Sequence, residues 1–227
     1  MPAVRAWRYF NSVPAAALVF AAAPVQLTAR LRARLSERMD ALVVAADDGA
    51  TTALAFGLTP DLVIGDLDSI SSATLSRLRQ ANVPIQTYPR DKDATDGELA
   101  VDYALRAKPG ALWLVGFLGG SRLDQALANV LLLTRIAAPA VLLDERNEAV
   151  LVRPGGVHAW RPEQREVVSL LPLRHVRGAR TVGLRWRLDG ASLSVGGTRG
   201  ISNEPVATEA SVAIDAGLLL VTRHFAA

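Results

Sequence analysis

The sequence predicts an α/β domain with a mostly parallel sheet, followed by a smaller all-β domain. Through the first two thirds of the chain, short apolar runs alternate with stretches of helical periodicity, which is typical of strands joined by crossover helices. In the last third, β-prone segments are separated by Gly, Pro and Asn and show little helical periodicity. We therefore expect one domain over residues 1–145 and a second over residues 146–227.

Six apolar runs in the first domain have the length of buried strands, and the stretches between them are long enough to cross over a parallel sheet. The predicted strands are residues 16–20, 41–46, 62–64, 85–88, 112–116 and 141–143. The predicted helices are residues 26–39, with Leu27, Leu31, Leu35 and Met39 on one stripe, and residues 51–56, 73–81, 95–107 and 123–136. In the second domain we predict strands at residues 167–171, 192–195 and 218–222.

The first predicted strand has an alternative interpretation. Residues 1–8 are basic and residues 13–23 form an apolar run that ends in small side chains, as in a short signal peptide. The run is too short to span a membrane. Because apolar runs of this length are common in α/β cores, we favour a buried strand, and a secreted protein remains the alternative.

The composition excludes several classes of function. Half of the 227 residues are hydrophobic, which indicates a globular chain, and 25 Lys and Arg nearly balance 22 Asp and Glu. This balance gives no sign of a nucleic-acid partner. The chain has no cysteine, which excludes disulfides, thiolate metal sites and a cysteine nucleophile. The redox compartment stays open, and the cytoplasm is the default expectation.

Aspartates are concentrated where predicted strands end. Nine of the fourteen aspartates fall between Asp47 and Asp102, and pairs or triplets of them follow the strands that end near residues 46, 64 and 88. In open α/β sheets the carboxyl ends of the strands bind ligands. Clustered carboxylates repel one another unless a cation joins them, and an all-oxygen cluster suits Mg²⁺. Single aspartates often occupy turns and caps instead, but the whole set favours a magnesium site.

One part of this cluster also matches a helix start. Thr95 is followed three residues later by Glu98, which predicts a capping box in which Thr95 caps the helix and Glu98 reaches back. Asp96 then lies in the first helical turn, where a negative charge suits the helix dipole. We expect its side chain to face the ligand as well.

A second candidate element is the segment GFLGGSRLD at residues 116–124, which leads from a strand through glycines into a helix. Exposed backbone N–H groups at such a turn can hold phosphates, and Arg122 can fork onto phosphate oxygens. The segment matches neither the Walker nor the dinucleotide-binding fingerprint, and residues 121–124 equally fit a simple cap. Together with the acidic cluster, it indicates metal-assisted phosphoryl transfer. The three histidines, all in the second domain, lack the spacing of paired ligands.

Five motifs in this order resemble those of the thiamine pyrophosphokinase family. They are DDGA at residues 47–50, PD at 60–61 leading to GDLDS at 65–69, KDATD at 92–96, RLD at 122–124 with AN at 128–129, and GLRW at 183–186 with ISN at 201–203. The resemblance implies an α/β catalytic domain, a β-sandwich domain that binds thiamine, and a homodimer. It also implies transfer of diphosphate from ATP to the hydroxyethyl group of thiamine, with Mg²⁺, giving thiamine diphosphate and AMP.

The resemblance further implies roles for individual residues. The implied magnesium ligands are Asp66, Asp68 and Asp96, with Asp47 and Asp93 lining the same catalytic site. The residues implied at ATP are Lys92, Gly119, Gly120, Ser121, Arg122, Asp124 and Asn129, and those implied at thiamine are Ser202, Asn203 and Trp186. For Trp186 we favour core packing instead, because a lone Trp in a strand usually packs.

The chain departs from the family pattern at four positions. Gln125 stands where the family commonly has histidine, Asp48 where it has glycine, Gly97 where it has a larger apolar residue, and Ser121 lengthens the turn before Arg122. Glutamine donates a hydrogen bond but carries no charge.

Two other functions stay open. One is a pyrophosphokinase for another small alcohol such as a hydroxymethyl pterin. The segment with Ser202 and Asn203 favours thiamine over this substrate. The other is a nucleotide or thiamine sensor without turnover, which Gln125 favours and the intact aspartates disfavour.

Overall fold

The computed structural model describes residues 14–36, 40–89 and 91–226. The basic stretch at residues 1–8 and Met39 of the predicted helical stripe lie outside the described residues. The chain divides into two compact units, with the boundary between Glu145 and Arg146.

The first unit is built on a parallel sheet of six strands in the order β4-β3-β2-β1-β5-β6. The strands are β1 (Ala17–Phe20), β2 (Leu42–Ala46), β3 (Leu62–Gly65), β4 (Ile85–Thr87), β5 (Leu112–Val115) and β6 (Ala140–Leu143). Every residue of β1, β2, β3 and β5 is buried, as expected for a sheet covered on both faces. The strand order reverses between β1 and β5, which makes this the switch point of the sheet. The predicted α/β fold class and the first strand are confirmed.

In the described part of the chain, five helices connect these strands, as predicted, and two of them differ in length from the prediction at ends where a side chain bonds to the backbone. They are α1 (Ala29–Ser36), α2 (Gly49–Ala55), α3 (Ser72–Gln80), α4 (Asp96–Arg106) and α5 (Leu123–Leu132). Helix α1 begins three residues later than predicted, after Thr28, whose Oγ1 accepts a hydrogen bond from the Leu31 N–H at 3.3 Å. Helix α5 ends four residues earlier than predicted. There Thr134 Oγ1 donates to the Leu131 carbonyl at 2.7 Å and competes with the backbone ladder.

The second unit consists of antiparallel strands around a core of its own. The strands are β7 (Asn147–Val152), β8 (Val157–Trp160), β9 (Val167–Val182), β10 (Ala191–Leu193), β11 (Ala210–Ala213) and β12 (Ala216–His224). Strand β9 has 16 residues and pairs with β12 along its first part and with β11 and β10 near its end. It is much longer than the predicted 167–171. The prediction was too short because Pro172 and Gly178, which lie within the strand, suggested turns. At Gly178, φ is 64° and a Cβ would lie 2.0 Å from Asp215 Oδ2, so glycine is needed for the strand to continue.

An ionic cluster is buried in the second unit. Arg223 on β12 donates to both carboxylate oxygens of Glu166 at 2.8 Å and to Glu148 Oε2 on β7 at 2.9 Å. Glu166 also accepts from the Trp160 indole at 2.8 Å. The cluster ties two strands and the segment before β9 together.

The structure gives no candidate for a membrane span within its described part. None of the helices there combines the length and the apolar character that crossing a bilayer requires.

Candidate active site

A cleft of about 720 Å³ lies at the carboxyl ends of the strands in the first unit. Its wall is formed by residues 21–24 after β1, by Asp47 after β2, by Asp66 after β3, by the first turn of α4, and by residues from the β5–α5 loop and α5. The cleft is therefore centred on the switch point between β1 and β5, where open α/β sheets bind ligands.

The loop after β1 is the part of the wall that sequence reasoning missed. Residues 21–24 carry no charge, so nothing in their chemistry marked them. Their backbone is joined to the neighbouring loop, because the Ala21 N–H donates to the Val115 carbonyl at 2.8 Å and the Ala23 N–H to the Gly116 carbonyl at 3.1 Å. The one feature that could have identified them as part of the site is their position directly after β1, the strand at which the sheet order reverses.

Asp47 is held in the cleft by a left-handed backbone and by a glycine beside it. Its φ is 44°, and its Oδ1 accepts from the Leu67 N–H at 3.2 Å. A Cβ on Gly65 would lie 1.8 Å from this same oxygen, so only glycine at position 65 leaves room for the carboxylate. Burial, together with the nearby charges of Asp96 and Asp66, raises the pKa of Asp47 to about 6. The three carboxylates therefore share one small, negatively charged region.

Asp96 places a carboxylate in the first turn of α4. The predicted cap is confirmed, because Thr95 Oγ1 accepts from the Glu98 N–H at 3.1 Å. The predicted return bond from Glu98 is wrong, since its carboxylate pairs with Arg135 instead. Asp96 Oδ2 lies 3.0 Å from Lys92 Nζ, whereas Oδ1 is buried and has no hydrogen-bond partner among the residues that the structure describes. An unpartnered buried carboxylate oxygen beside two further carboxylates fits a cation such as Mg²⁺.

The predicted magnesium set is only partly brought together. Asp66 and Asp96 line the cleft, whereas Asp68 and Asp93 are exposed and do not. The Asp68 N–H donates to Asp66 Oδ1 at 3.1 Å. Across residues 14–36, 40–89 and 91–226, no three acidic or histidine side chains lie close enough to one another to hold a metal ion. A metal held by three of these carboxylates would therefore need their side chains to move closer together.

The loop between β5 and α5, residues 116–122, contains three glycines with positive φ and is called the glycine loop below. Gly119 and Gly120 both have φ of 79°, which favours glycine, and both line the cleft with Ser121, Gln125 and Asn129. Asn129 Nδ2 donates to the Phe117 carbonyl at 2.8 Å and so fixes the start of the loop to α5. The N-cap residue of α5, Arg122, makes no side-chain cap bond, but the Asp124 carboxylate accepts from the backbone N–H groups of Asp124 and Gln125, so residues 121–124 keep part of the capping role. The other N–H groups at the start of α5 can serve an anion.

Arg122 lines the cleft but is bound to Asp124. Its Nε donates to Asp124 Oδ1 at 2.8 Å, and its Nη2 donates to the other carboxylate oxygen. This fork lowers the pKa of Asp124 to about 2. Asp124 does not line the cleft, so its contact with the site runs through Arg122.

In the second unit, the prediction that Trp186 packs in a core is wrong. Trp186 lies outside the strands and is 55% exposed. Asn203 is buried and holds the Trp186 backbone from both sides, because its Oδ1 accepts from the Trp186 N–H at 3.1 Å and its Nδ2 donates to the Trp186 carbonyl at 2.8 Å. Ser202 is exposed, with a left-handed φ of 58°. Asn203 therefore supports an exposed aromatic surface.

The fold and the cleft define an α/β protein in which a glycine loop, a helix N-terminus and several carboxylates line one cleft, followed by a β domain. Residues 34–142 match the family described as thiamin pyrophosphokinase, catalytic domain, and residues 157–219 match thiamin pyrophosphokinase, vitamin B1 binding domain. The chain belongs to the thiamine pyrophosphokinase family.

Individual relatives agree with this membership. Thiamine pyrophosphokinase of Bacillus subtilis (strain 168) is 28% identical over 186 residues, which cover 80% of this chain and 86% of that protein. The crystal structure of thiamin pyrophosphokinase from Geobacillus thermodenitrificans is similar with a TM-score of 0.81 at 27% identity, over 93% of this chain and 98% of that one. Yeast thiamin pyrophosphokinase, at 16% identity and a TM-score of 0.73 over 98% of this chain and 90% of that one, shares the fold.

Proposed function

We propose that this protein is a thiamine pyrophosphokinase, which transfers diphosphate from ATP to the hydroxyethyl oxygen of thiamine and releases AMP. The observation that carries the proposal is a single cleft with a carboxylate cluster on one side and a glycine loop that leads into a helix N-terminus on the other. This pairing suits a nucleotide whose phosphates bind a divalent cation. The first unit would bind ATP, and the second would bind thiamine.

For ATP, we assign the phosphates to the glycine loop. The backbone of Gly119, Gly120 and Ser121 and the first turn of α5 would supply N–H donors, while Asn129 keeps the loop in place. Arg122 would move from Asp124 onto a phosphate oxygen, because both residues are largely exposed and the exchange costs little. Lys92, which lies beside Asp96, would offset further negative charge.

For magnesium, we assign Asp66 and Asp96 as ligands, with Asp47 beside them. The unpartnered Oδ1 of Asp96 and the raised pKa of Asp47 support this assignment. Asp68 would join only after its side chain turns toward the cleft, and Asp93 would act outside the ligand set. The bound ion would neutralise the phosphates and polarise the transferred diphosphate.

For thiamine, we assign the exposed face of Trp186, with Ser202 beside Asn203. Thiamine carries a positively charged aromatic ring, and an exposed indole attracts such a cation through its π face. Asn203 would act indirectly, by fixing the Trp186 backbone. The protein's contribution to catalysis is then to hold the hydroxyl oxygen of thiamine in line with the β-phosphorus. The new O–P bond forms as the bond between that phosphorus and the AMP oxygen breaks, AMP leaves with that oxygen, and the hydroxyl proton is released to solvent.

The proposal is tested by measuring AMP release from ATP and Mg²⁺ with thiamine, with a hydroxymethyl pterin or without an acceptor, followed by mass detection of the product. We expect AMP and thiamine diphosphate only with thiamine. If AMP is released only with the pterin, the substrate is the pterin and not thiamine. If ATP binds tightly but no AMP is released with any acceptor, the protein is a sensor without turnover. We also propose a homodimer, for which light scattering should give twice the chain mass of 24.2 kDa.

A further inference from the structure

Helix α4 and the glycine loop, which line opposite sides of the cleft, pack against each other at Gly97 and Phe117. Gly97 directly follows Asp96 in the first turn of α4, and Phe117 stands at the start of the glycine loop with its side chain fully buried. A Cβ on Gly97 would lie 3.2 Å from Phe117 Cε1, 3.6 Å from Phe117 Cζ and 3.9 Å from the Ala21 Cβ. The edge of the Phe117 ring therefore rests on the bare backbone of α4.

The glycine is not required by the backbone conformation. Gly97 lies in a helix and is absent from the residues with positive φ in the described part of the chain. Glycine disfavours a helix relative to alanine, so its presence in α4 points to a steric reason. The nearest neighbour in space is the Phe117 ring, which supplies that reason.

Phe117 has little freedom to retreat from α4. Its carbonyl accepts from Asn129 Nδ2 at 2.8 Å, which ties it to α5. Gly116 before it has φ of 73°, and a Cβ there would lie 2.3 Å from the Ala21 carbonyl oxygen, so the backbone is also packed closely against the loop after β1. Because the backbone that carries the ring is held at residues 116 and 117 and the ring itself is fully buried, the ring limits how closely the first turn of α4 approaches the glycine loop.

We propose that Gly97 and Phe117 form a spacer that positions Asp96 relative to the glycine loop and so fixes the width of the cleft for magnesium-bound nucleotide phosphates. The inference rests on the proposed function in that it takes Mg²⁺ and ATP as the ligands. Both are positioning residues. A shift of a few tenths of an ångström at Gly97 moves Asp96, its neighbour in the chain.

The experiment compares Gly97→Ala, Phe117→Leu and the double variant in the full-length chain. Gly156→Ala is the matched control, because a Cβ there meets only the Arg153 carbonyl oxygen, at an ordinary 3.4 Å, in the second unit. Binding of a non-hydrolysable ATP analogue with Mg²⁺ is measured by calorimetry, alongside kcat, the KM values for ATP and thiamine, and the thermal midpoint.

We expect Gly97→Ala to weaken analogue binding and kcat/KM for ATP by about tenfold, as misplacement near a reacting centre does. The KM for thiamine and the thermal midpoint should stay close to those of the parent and of Gly156→Ala. Because leucine lacks the ring edge, the double variant should regain most of the binding that Gly97→Ala loses.

Unchanged analogue binding in Gly97→Ala would overturn the spacer. It would also be overturned if the fold-loss of analogue affinity in the double variant equals the product of the fold-losses in the two single variants. An equal loss of both KM values together with a lowered thermal midpoint would also overturn it, because that pattern marks general damage to the fold. A parent that binds the analogue without making thiamine diphosphate refutes the proposed function, and the variants' binding still decides the spacer. A parent that does not bind the analogue refutes both.

Discussion

Replacing Arg223 with methionine is expected to destabilise the second unit by about 3–5 kcal/mol, the cost of removing one partner from a buried ion pair. Three hydrogen bonds of 2.8, 2.8 and 2.9 Å from the Arg223 guanidinium would be lost. The side chains of Glu166 and Glu148 are 0% and 4% exposed, so water cannot replace the missing donors. Glu166 keeps the Trp160 indole as a neutral donor, which compensates for only part of the loss.

Arg180→Met provides the matched control. Arg180 makes the same kind of fork, with bonds of 2.7 and 2.8 Å to Asp215, but these two side chains are 52% and 56% exposed. Solvent screens an exposed pair, so we expect the control to leave stability nearly unchanged.

The assay for both variants is urea unfolding of the full chain, followed by tryptophan fluorescence, with the slopes of the transitions compared. A further variant that also carries Glu166→Gln and Glu148→Gln should regain part of the loss, because it leaves no unpaired buried charge. The reasoning is refuted if Arg223→Met and Arg180→Met lose the same free energy of unfolding, since burial would then not decide the outcome.

Three further predictions concern single side chains. Asp66→Asn should abolish AMP release with little change in the unfolding midpoint, and a rate near that of the parent would remove Asp66 from the metal ligands. Trp186→Ala should raise the KM for thiamine without loss of stability, whereas Asn203→Ala should also cost about 1–3 kcal/mol in unfolding, because it removes both hydrogen bonds to the partly buried backbone N–H and carbonyl of Trp186. Burial, with Arg223 nearby, lowers the pKa of His158 from 6.5 to about 4. Between pH 6.5 and 4 the unfolded chain therefore binds an extra proton at His158, so the stability that His158 contributes is lost as the pH falls. His158→Gln should remove this pH dependence in urea unfolding, and an unchanged slope would contradict the reasoning.

The alternation of apolar runs and helical periods was enough to predict the parallel sheet. Strand ends such as Ala46 and Ile64 are buried on both faces, so their positions are set by a strong apolar signal. The same signal failed in β9, where Pro172 and Gly178 interrupt the pattern but remain in the strand. Those two residues are tolerated because of contacts far away in sequence, such as the closeness of Gly178 to Asp215, which no local pattern contains.

The exposure of Trp186 could not be predicted for a similar reason. A lone tryptophan in a strand usually packs, but this one lies outside the strands, in a segment whose backbone is held by the buried amide of Asn203, 17 residues away. The amide satisfies the backbone groups and leaves the indole at the surface.

In the acidic motif GDLDS, Asp66 lines the cleft but Asp68 does not. The motif shows that the sequence predicts where a ligand lies along the chain but not how its side chain is oriented. Its position after β3 follows from the topology of the sheet, and this was enough to bring Asp66 to the cleft. In an extended strand, residues two apart point to the same side, which would send Asp68 the same way. Leu67 between them has φ of 67°, a left-handed conformation that is strained for a leucine, and this breaks the alternation. The Leu67 N–H donates to Asp47 Oδ1, so the Asp47 carboxylate helps to fix the turn that separates Asp66 from Asp68. The orientation of each ligand is thus determined by its neighbours in space, and the strained Leu67 is the point at which Asp68 would have to turn to join a metal.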